Sequence, residues 1–171
     1  MITGLKIEVG AWSSLSTLFF IMPNVPGLRS PYVKVGRLVY FGRMLDKIRL
    51  HATGKLPAEY VENYGESQPN VFDARCCRFL GVSHNEIVAQ VRAGNTDEQT
   101  LAWCHEKGGA RTDEQCDIWN MFMTKRGWRD AANERLQMRL REYGLEGRAD
   151  ILTFFDFIEV DEGRDPAKTR L

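Results

Sequence analysis

Five side chains able to bind an anion or move a proton fall within the run "GRMLDKIRLH": Arg43, Asp46, Lys47, Arg49 and His51. The residues between them are mostly apolar. Part of this set is therefore expected to be buried, and a buried charge needs a partner. On a helix Asp46 lies three residues from both Arg43 and Arg49, within side-chain reach of each. Two more carboxylates, Asp156 and Glu159, stand in the equally apolar run "DILTFFDFIEVDEG" near the other end of the chain. An arginine beside such a group can clamp a carboxylate or phosphate, here Arg43. A histidine or a perturbed acid can move a proton, here His51 or Asp156.

The same residues admit a plainer reading. Arg29, Lys34, Arg37, Arg43, Lys47, Arg49 and Lys55 stand against Asp46 alone in the first segment. Residues 146–165 reverse the balance, with Glu146, Asp150, Asp156, Glu159, Asp161, Glu162 and Asp165 against Arg148 and Arg164. Opposite charge predicts that the last element packs near the first helix, with Asp156 and Glu159 meeting Arg43, Lys47 or Arg49. A collapsed, fully paired cluster would be structural. A pocket lined by Arg43, Lys47 and Asp156 would point to a ligand. A surface for a protein partner is the third reading.

Other chemistries lack their residues. The chain has no P-loop, dinucleotide fingerprint, G-x-S-x-G elbow or H-E-x-x-H motif. His51, His84 and His105 share no metal-ligand spacing with one another or with Cys76, Cys77, Cys104 and Cys116, so no metal and no cofactor are expected. The cysteines read as reduced core residues of a cytoplasmic protein. Formal net charge is zero, which gives no support to nucleic acid or an anionic membrane as partner. An unknown small anion or a protein remains.

These groups must be held by helices. "SHNE" and two copies of "TDEQ" are capping boxes, pairing Ser83 with Glu86, Thr96 with Gln99 and Thr112 with Gln115. Gly81, Gly94, Gly108, Gly127 and Gly144 close apolar-periodic runs, as left-handed caps do. The pattern predicts helices over 35–53, 72–80, 84–93, 97–107, 113–126 and 130–143, with a short turn at 58–63. Ile151, Phe154, Phe155 and Ile158 share a helical face, which makes the last element a helix opening at Asp150 and stopping at Gly163. Trp103, Trp119, Met121 and Met123 read as core, Trp128 as a loop plug and His84 as solvated. The fold class is all-α, a single compact domain of about six to eight short helices.

The 171 residues suit one domain. Residues 28–163 form it, residues 1–27 are an N-terminal extension outside the fold, and residues 164–171 are a flexible tail. "SSLSTLFFIM" is apolar, but it is too short to span a bilayer and lacks a signal peptide's flanks. Met22 reads as the natural start, with residues 1–21 an upstream extension.

"RSPYVKVGRLVYFGRMLDKIR", "FLGV", "TDEQTLAW" and "DILTFFDFIEVDEG" together resemble a bacterial family known as a domain of unknown function, numbered fifty sixty-nine. The likeness covers about residues 28–164, and "RMLDKIR" is its most specific piece. Two positions depart from the family: Arg37 stands where it often has a glycine, and Gly42 where it often has a proline. The resemblance implies a small soluble bacterial protein and brings no activity with it. A non-enzymatic domain binding a small ligand or a protein is the leading expectation. An enzyme acting on a small anionic substrate through the Arg/Asp/Lys cluster is the alternative.

Overall fold

A computed structural model describes residues 24–170, and the expectation for residues 1–21 lies outside them. The described chain is helical, with a single isolated bridge between Val35 and Leu38 as its only β pairing. Eight α-helices follow in order: α1 (Phe41–Ala52), α2 (Phe72–Leu80), α3 (His84–Arg92), α4 (Asp97–Gly108), α5 (Asp113–Lys125), α6 (Asn133–Glu142), α7 (Phe154–Asp161) and the short α8 (Pro166–Thr169). A 3-10 helix, Ala58–Asn63, lies between α1 and α2.

The first helix begins six residues later than its apolar pattern predicts. Val35 and Leu38 exchange backbone hydrogen bonds at 3.1 Å, which turns the chain, and Tyr40 then takes a left-handed backbone at φ 70°. That conformation costs a non-glycine residue roughly 1–2 kcal/mol. The Tyr40 side chain offsets it: its ring packs on Phe72 and Phe155, and its hydroxyl donates to Asp73 at 2.9 Å. Gly42 follows for a packing reason, because a Cβ there would come within 2.5 Å of the Arg29 guanidinium and 2.8 Å of Val35.

The three capping boxes close as their sequences require. A fourth, Thr153 with Asp156, opens α7. It displaces Asp150 as the predicted cap because the Thr153 hydroxyl accepts from the Asp156 amide at 3.2 Å. Gly108 is the last residue of α4 rather than its left-handed cap, and the C-cap residue Gly109 has φ 92° and ψ 135°, outside the left-handed helical region. Gly108 is needed for contact, since a Cβ would lie 1.9 Å from the Leu80 carbonyl oxygen.

Helix α1 is central. Every residue from Phe41 to Ile48 is buried, and Leu38, Phe41, Leu45, Ile48, Leu80, Ile87, Met123 and Phe155 belong to the main core around it. A second cluster joins α6 and α7 through Leu136, Leu140, Ile151, Phe157 and Val160. A third joins Val25 and Leu28 to Leu50, so packing begins ahead of residue 28. Beyond residue 163, Pro166 is buried and Arg170 donates to Asp156 at 2.8 Å, where the sequence suggests a loose tail.

Trp119 and Met123 are core residues as predicted, and Trp103 packs against the core half-buried. Met121 is exposed, Trp128 is exposed beneath the Arg129 guanidinium, and His84 is buried beside Tyr64.

Candidate functional site

The charged residues of α1 divide between two sides of the helix. On one side Arg29 grips Asp46 through two hydrogen bonds of 2.6 and 2.7 Å and adds its backbone amide at 3.1 Å. Asp97 extends the group, meeting Arg29 at 2.7 Å and Arg49 at 2.5 Å, while Arg49 reaches Asp46 at 3.3 Å. The Asp46 hydrogen bonds hold the Arg29 guanidinium above its ordinary pKa. Burial pushes the Asp97 carboxyl up, but its two arginines outweigh this and its pKa is lowered.

On the other side the partners differ from those expected. Arg43 is paired with Glu162, not with Asp156 or Glu159. Both side chains are at least 97% buried. Tyr60 donates to the same carboxylate at 2.8 Å. Burial pushes the Glu162 carboxyl up, yet Arg43 pulls it below the usual range. Lys47 meets Asp73 at 2.7 Å and donates to the Asn63 carbonyl at 2.7 Å. Burial lowers the Lys47 pKa despite that carboxylate. Asp73 is fully buried and also accepts from the Gly65 amide at 2.8 Å.

Asp156 and Glu159 meet neither Arg43 nor Lys47 nor Arg49, and have other partners. Asp156 accepts from the Tyr32 hydroxyl at 2.7 Å, from Arg170 and from the amides of Leu152 and Thr153 at 3.0 Å. Burial opposes its charge, but these donors outweigh it and the carboxyl titrates below its usual range. Glu159 pairs with Arg164 at 2.9 Å. His51 is exposed and stacks on Tyr64, with ring centroids 4.4 Å apart. The seven predicted residues are therefore divided among separate groups: Asp46 with Arg49, Arg43 with Glu162, Lys47 with Asp73, Asp156 with Arg170, Glu159 with Arg164, and His51 on Tyr64.

A cleft of about 520 Å³ opens over Arg43, Glu162 and Lys47. Tyr40 lines it from the cap of α1, Arg43 and Lys47 from α1, Phe72 and Arg75 from α2, Arg135 and Arg139 from α6, Phe157 from α7 and Glu162 from just beyond it. Asp46, Arg49, His51, Asp156 and Glu159 do not line it. Four of its arginines were not singled out from the sequence: Arg75, Arg126, Arg135 and Arg139. Arg135 makes no hydrogen bond or ion pair with a described residue. Arg75 has no carboxylate partner among them; Asn70 holds it through its carbonyl at 3.2 Å and its side-chain oxygen at 3.0 Å. Burial and then the neighbouring Arg126 and Arg78 lower its pKa. Arg75 and Arg126 both lie over the Phe122 ring, at 5.5 and 5.6 Å. Arg126 and Arg139 keep partners, Asp130 at 2.7 Å and Glu142 at 3.0 Å.

A sequence signal existed for α6: Arg135 and Arg139 are four residues apart and share a face flanking the buried Leu136 and Leu140. No comparable signal marked Glu162 or Asp73 as the buried partners. Each reads as one more acid in a charged stretch.

The model of one protein family, Domain of unknown function (DUF5069), matches residues 25–164. The chain belongs to this family. Its match begins at Val25, the first residue of the packed N-terminal cluster, and ends beside the Glu159–Arg164 pair. No curated protein matches the chain. Among the described residues of this DUF5069 domain, no three His, Cys, Asp or Glu side chains are grouped to hold a metal. No helix among them is long and apolar enough to cross a membrane.

Proposed function

We propose that this DUF5069 domain binds a small organic anion with an apolar body in the cleft walled by α2 and α6, without transforming it. The observation that carries the reading is the pair Arg75 and Arg135. Both face the cleft, neither has a carboxylate partner among the described residues, and the surface beside them is aromatic. A guanidinium partly shielded from water attracts an anion more strongly than one in bulk solvent. Its planar fork also matches carboxylate and phosphate in two-bonded geometry. The cleft volume lies in the usual range for a small-molecule site. The buried Arg43–Glu162 and Lys47–Asp73 pairs form a rigid floor whose charges are already satisfied.

Four buried free thiols, with burial pushing Cys104 up to about 12, support a reducing compartment and a cytoplasmic location.

The test is a thermal-shift screen with phenyl phosphate, aromatic carboxylates and their neutral analogues. A probe present at about 100 times its dissociation constant adds about 2.7 kcal/mol of stability. In a domain of this size that raises the melting temperature by roughly 5–10 °C. The shift should vanish in Arg75→Ala and Arg135→Ala, and neutral analogues should give none. A panel without any shift, or a shift indifferent to both substitutions, rejects the reading.

The enzyme reading rests on Lys47, a buried amine of lowered pKa that reaches the cleft floor. It would be favoured if Lys47→Met, still folded, bound the same probes but left unchanged a substrate that the wild type converts.

A further inference from the structure

We infer that the outer face of α5 is a contact surface for a second copy of this chain, docked antiparallel. Ile118, Met121 and Phe122 are 60%, 56% and 40% exposed, although they lie one turn apart on a single helix. Ile118 and Met121 keep more than half of their surface open, while the Arg75 and Arg126 guanidinium groups lie over the Phe122 ring. Residues 114, 118, 121 and 125 fall within about 60° of one another around a helix axis. The stripe they make reads Glu114, Ile118, Met121, Lys125.

That order specifies its own partner. When two copies of α5 lie antiparallel about an axis midway along the stripe, Glu114 faces Lys125 of the other copy and Ile118 faces Met121. Each contact occurs twice, as two-fold symmetry requires. A parallel arrangement would instead set Glu114 against Glu114 and Lys125 against Lys125. Both charged ends are exposed, and neither makes a hydrogen bond or ion pair with a described residue. The charges are therefore available to a partner, and they suit a copy of the same helix.

A shape complement lies alongside. An apolar groove of about 280 Å³, lined by Phe79, Ile118, Trp119 and Phe122 with Arg75 and Arg78 at its side, borders the stripe. Phe79 and Trp119 stack at 4.6 Å and form its apolar base. A methionine side chain is flexible enough to fill such an irregular recess. Met121 of one copy, projecting opposite Ile118 of the other, has the groove within reach. Knob and recess thus sit on one helix, which suits a self-complementary interface. One helical stripe and its bordering groove form a small contact, in the class of weak and concentration-dependent association.

Sedimentation equilibrium between about 1 µM and about 1 mM, a span that covers weak association, tests this directly. The wild type should pass from monomer to dimer across the range. Glu114→Lys alone should weaken the dimer roughly tenfold, as should Lys125→Glu alone, because each sets like charges opposite one another. The two combined should restore wild-type affinity, since the swapped charges again oppose. Ile118→Asp should abolish the dimer. Circular dichroism should show all four variants as folded as the wild type, because every altered side chain is exposed. A wild type that stays monomeric throughout overturns the inference and leaves the face to an unrelated protein. A double variant no tighter than the single ones, or an Ile118→Asp variant that still dimerises, overturns it equally.

Discussion

Asp46 and Asp156 show how differently two buried carboxylates can be held. Asp46 is answered by Arg29 and Arg49, whose side chains keep 28% and 38% of their exposure and can rehydrate when the acid is lost. Asp156 is fully buried, answers the Tyr32 hydroxyl and caps α7 as well. We therefore expect Asp46→Ala to cost about 1–3 kcal/mol, discounted for solvent screening, and Asp156→Ala to cost more, about 3 kcal/mol or above. Urea denaturation measures both, and the reverse ordering would contradict the stated partners. The Arg43–Glu162 pair makes a sharper case. Removing Glu162 leaves the buried Arg43 without a carboxylate and costs about 3–5 kcal/mol, whereas removing Arg43 costs less because Glu162 keeps Arg164 and Tyr60. Replacing both, as Arg43→Met with Glu162→Leu, should cost less than Glu162→Leu alone. The basic and acidic balance of the two ends is met at one ion pair, Arg43 of α1 with Glu162 just beyond α7. It does not identify partners, because Asp156, Glu159 and Glu162 lie within two turns and differ only in how α7 is rotated. That rotation comes from the Thr153 cap and the Phe155 packing.

The helices themselves were largely readable, because their ends carry local chemistry. Ser83, Thr96 and Thr112 satisfy orphan amides of their own first turns, so three starts needed no tertiary information. The α1 start was not readable. Val35, Leu38 and Val39 have helical spacing, but the turn at Val35–Leu38 and the left-handed Tyr40 override it through contacts with Pro31, Asp73 and Phe155. Thr153→Ala, which removes the fourth box, should cost about 1 kcal/mol. Gly108→Ala should cost about 1–3 kcal/mol or more, because its Cβ would force the end of α4 away from the Leu80 carbonyl. Gly94→Ala meets no neighbouring atom and should cost less, through its φ of 85° alone. Thermal unfolding of the two glycine variants separates contact from backbone conformation. Equal losses would show that the α2–α4 contact is not what Gly108 serves.

For the molecule as a whole, the depressed carboxylates set the response to acid. Glu162, Asp156 and Asp97 titrate lower folded than unfolded, so their contribution is complete above the unfolded range near pH 4. It is lost as pH falls through the folded values. His84 acts earlier: burial lowers its pKa, so the unfolded chain takes up that proton first and stability begins to fall below about pH 6.5. Stability should therefore be flat just above neutrality, decline gently below about pH 6.5 and steeply below about pH 4. The cleft was the least legible feature, since its basic wall joins α2, the end of α5 and α6, far apart in sequence. An anion bound there should meet Arg75 and Arg135 and not the paired Arg43 below. Arginine Nε–Hε resonances followed by nuclear magnetic resonance during a phenyl phosphate titration separate the two. Arg75 and Arg135 should move with one saturating curve while Arg43, locked to Glu162, stays in place. Movement of Arg43 without Arg75 and Arg135, or no movement at any of the three, would contradict it.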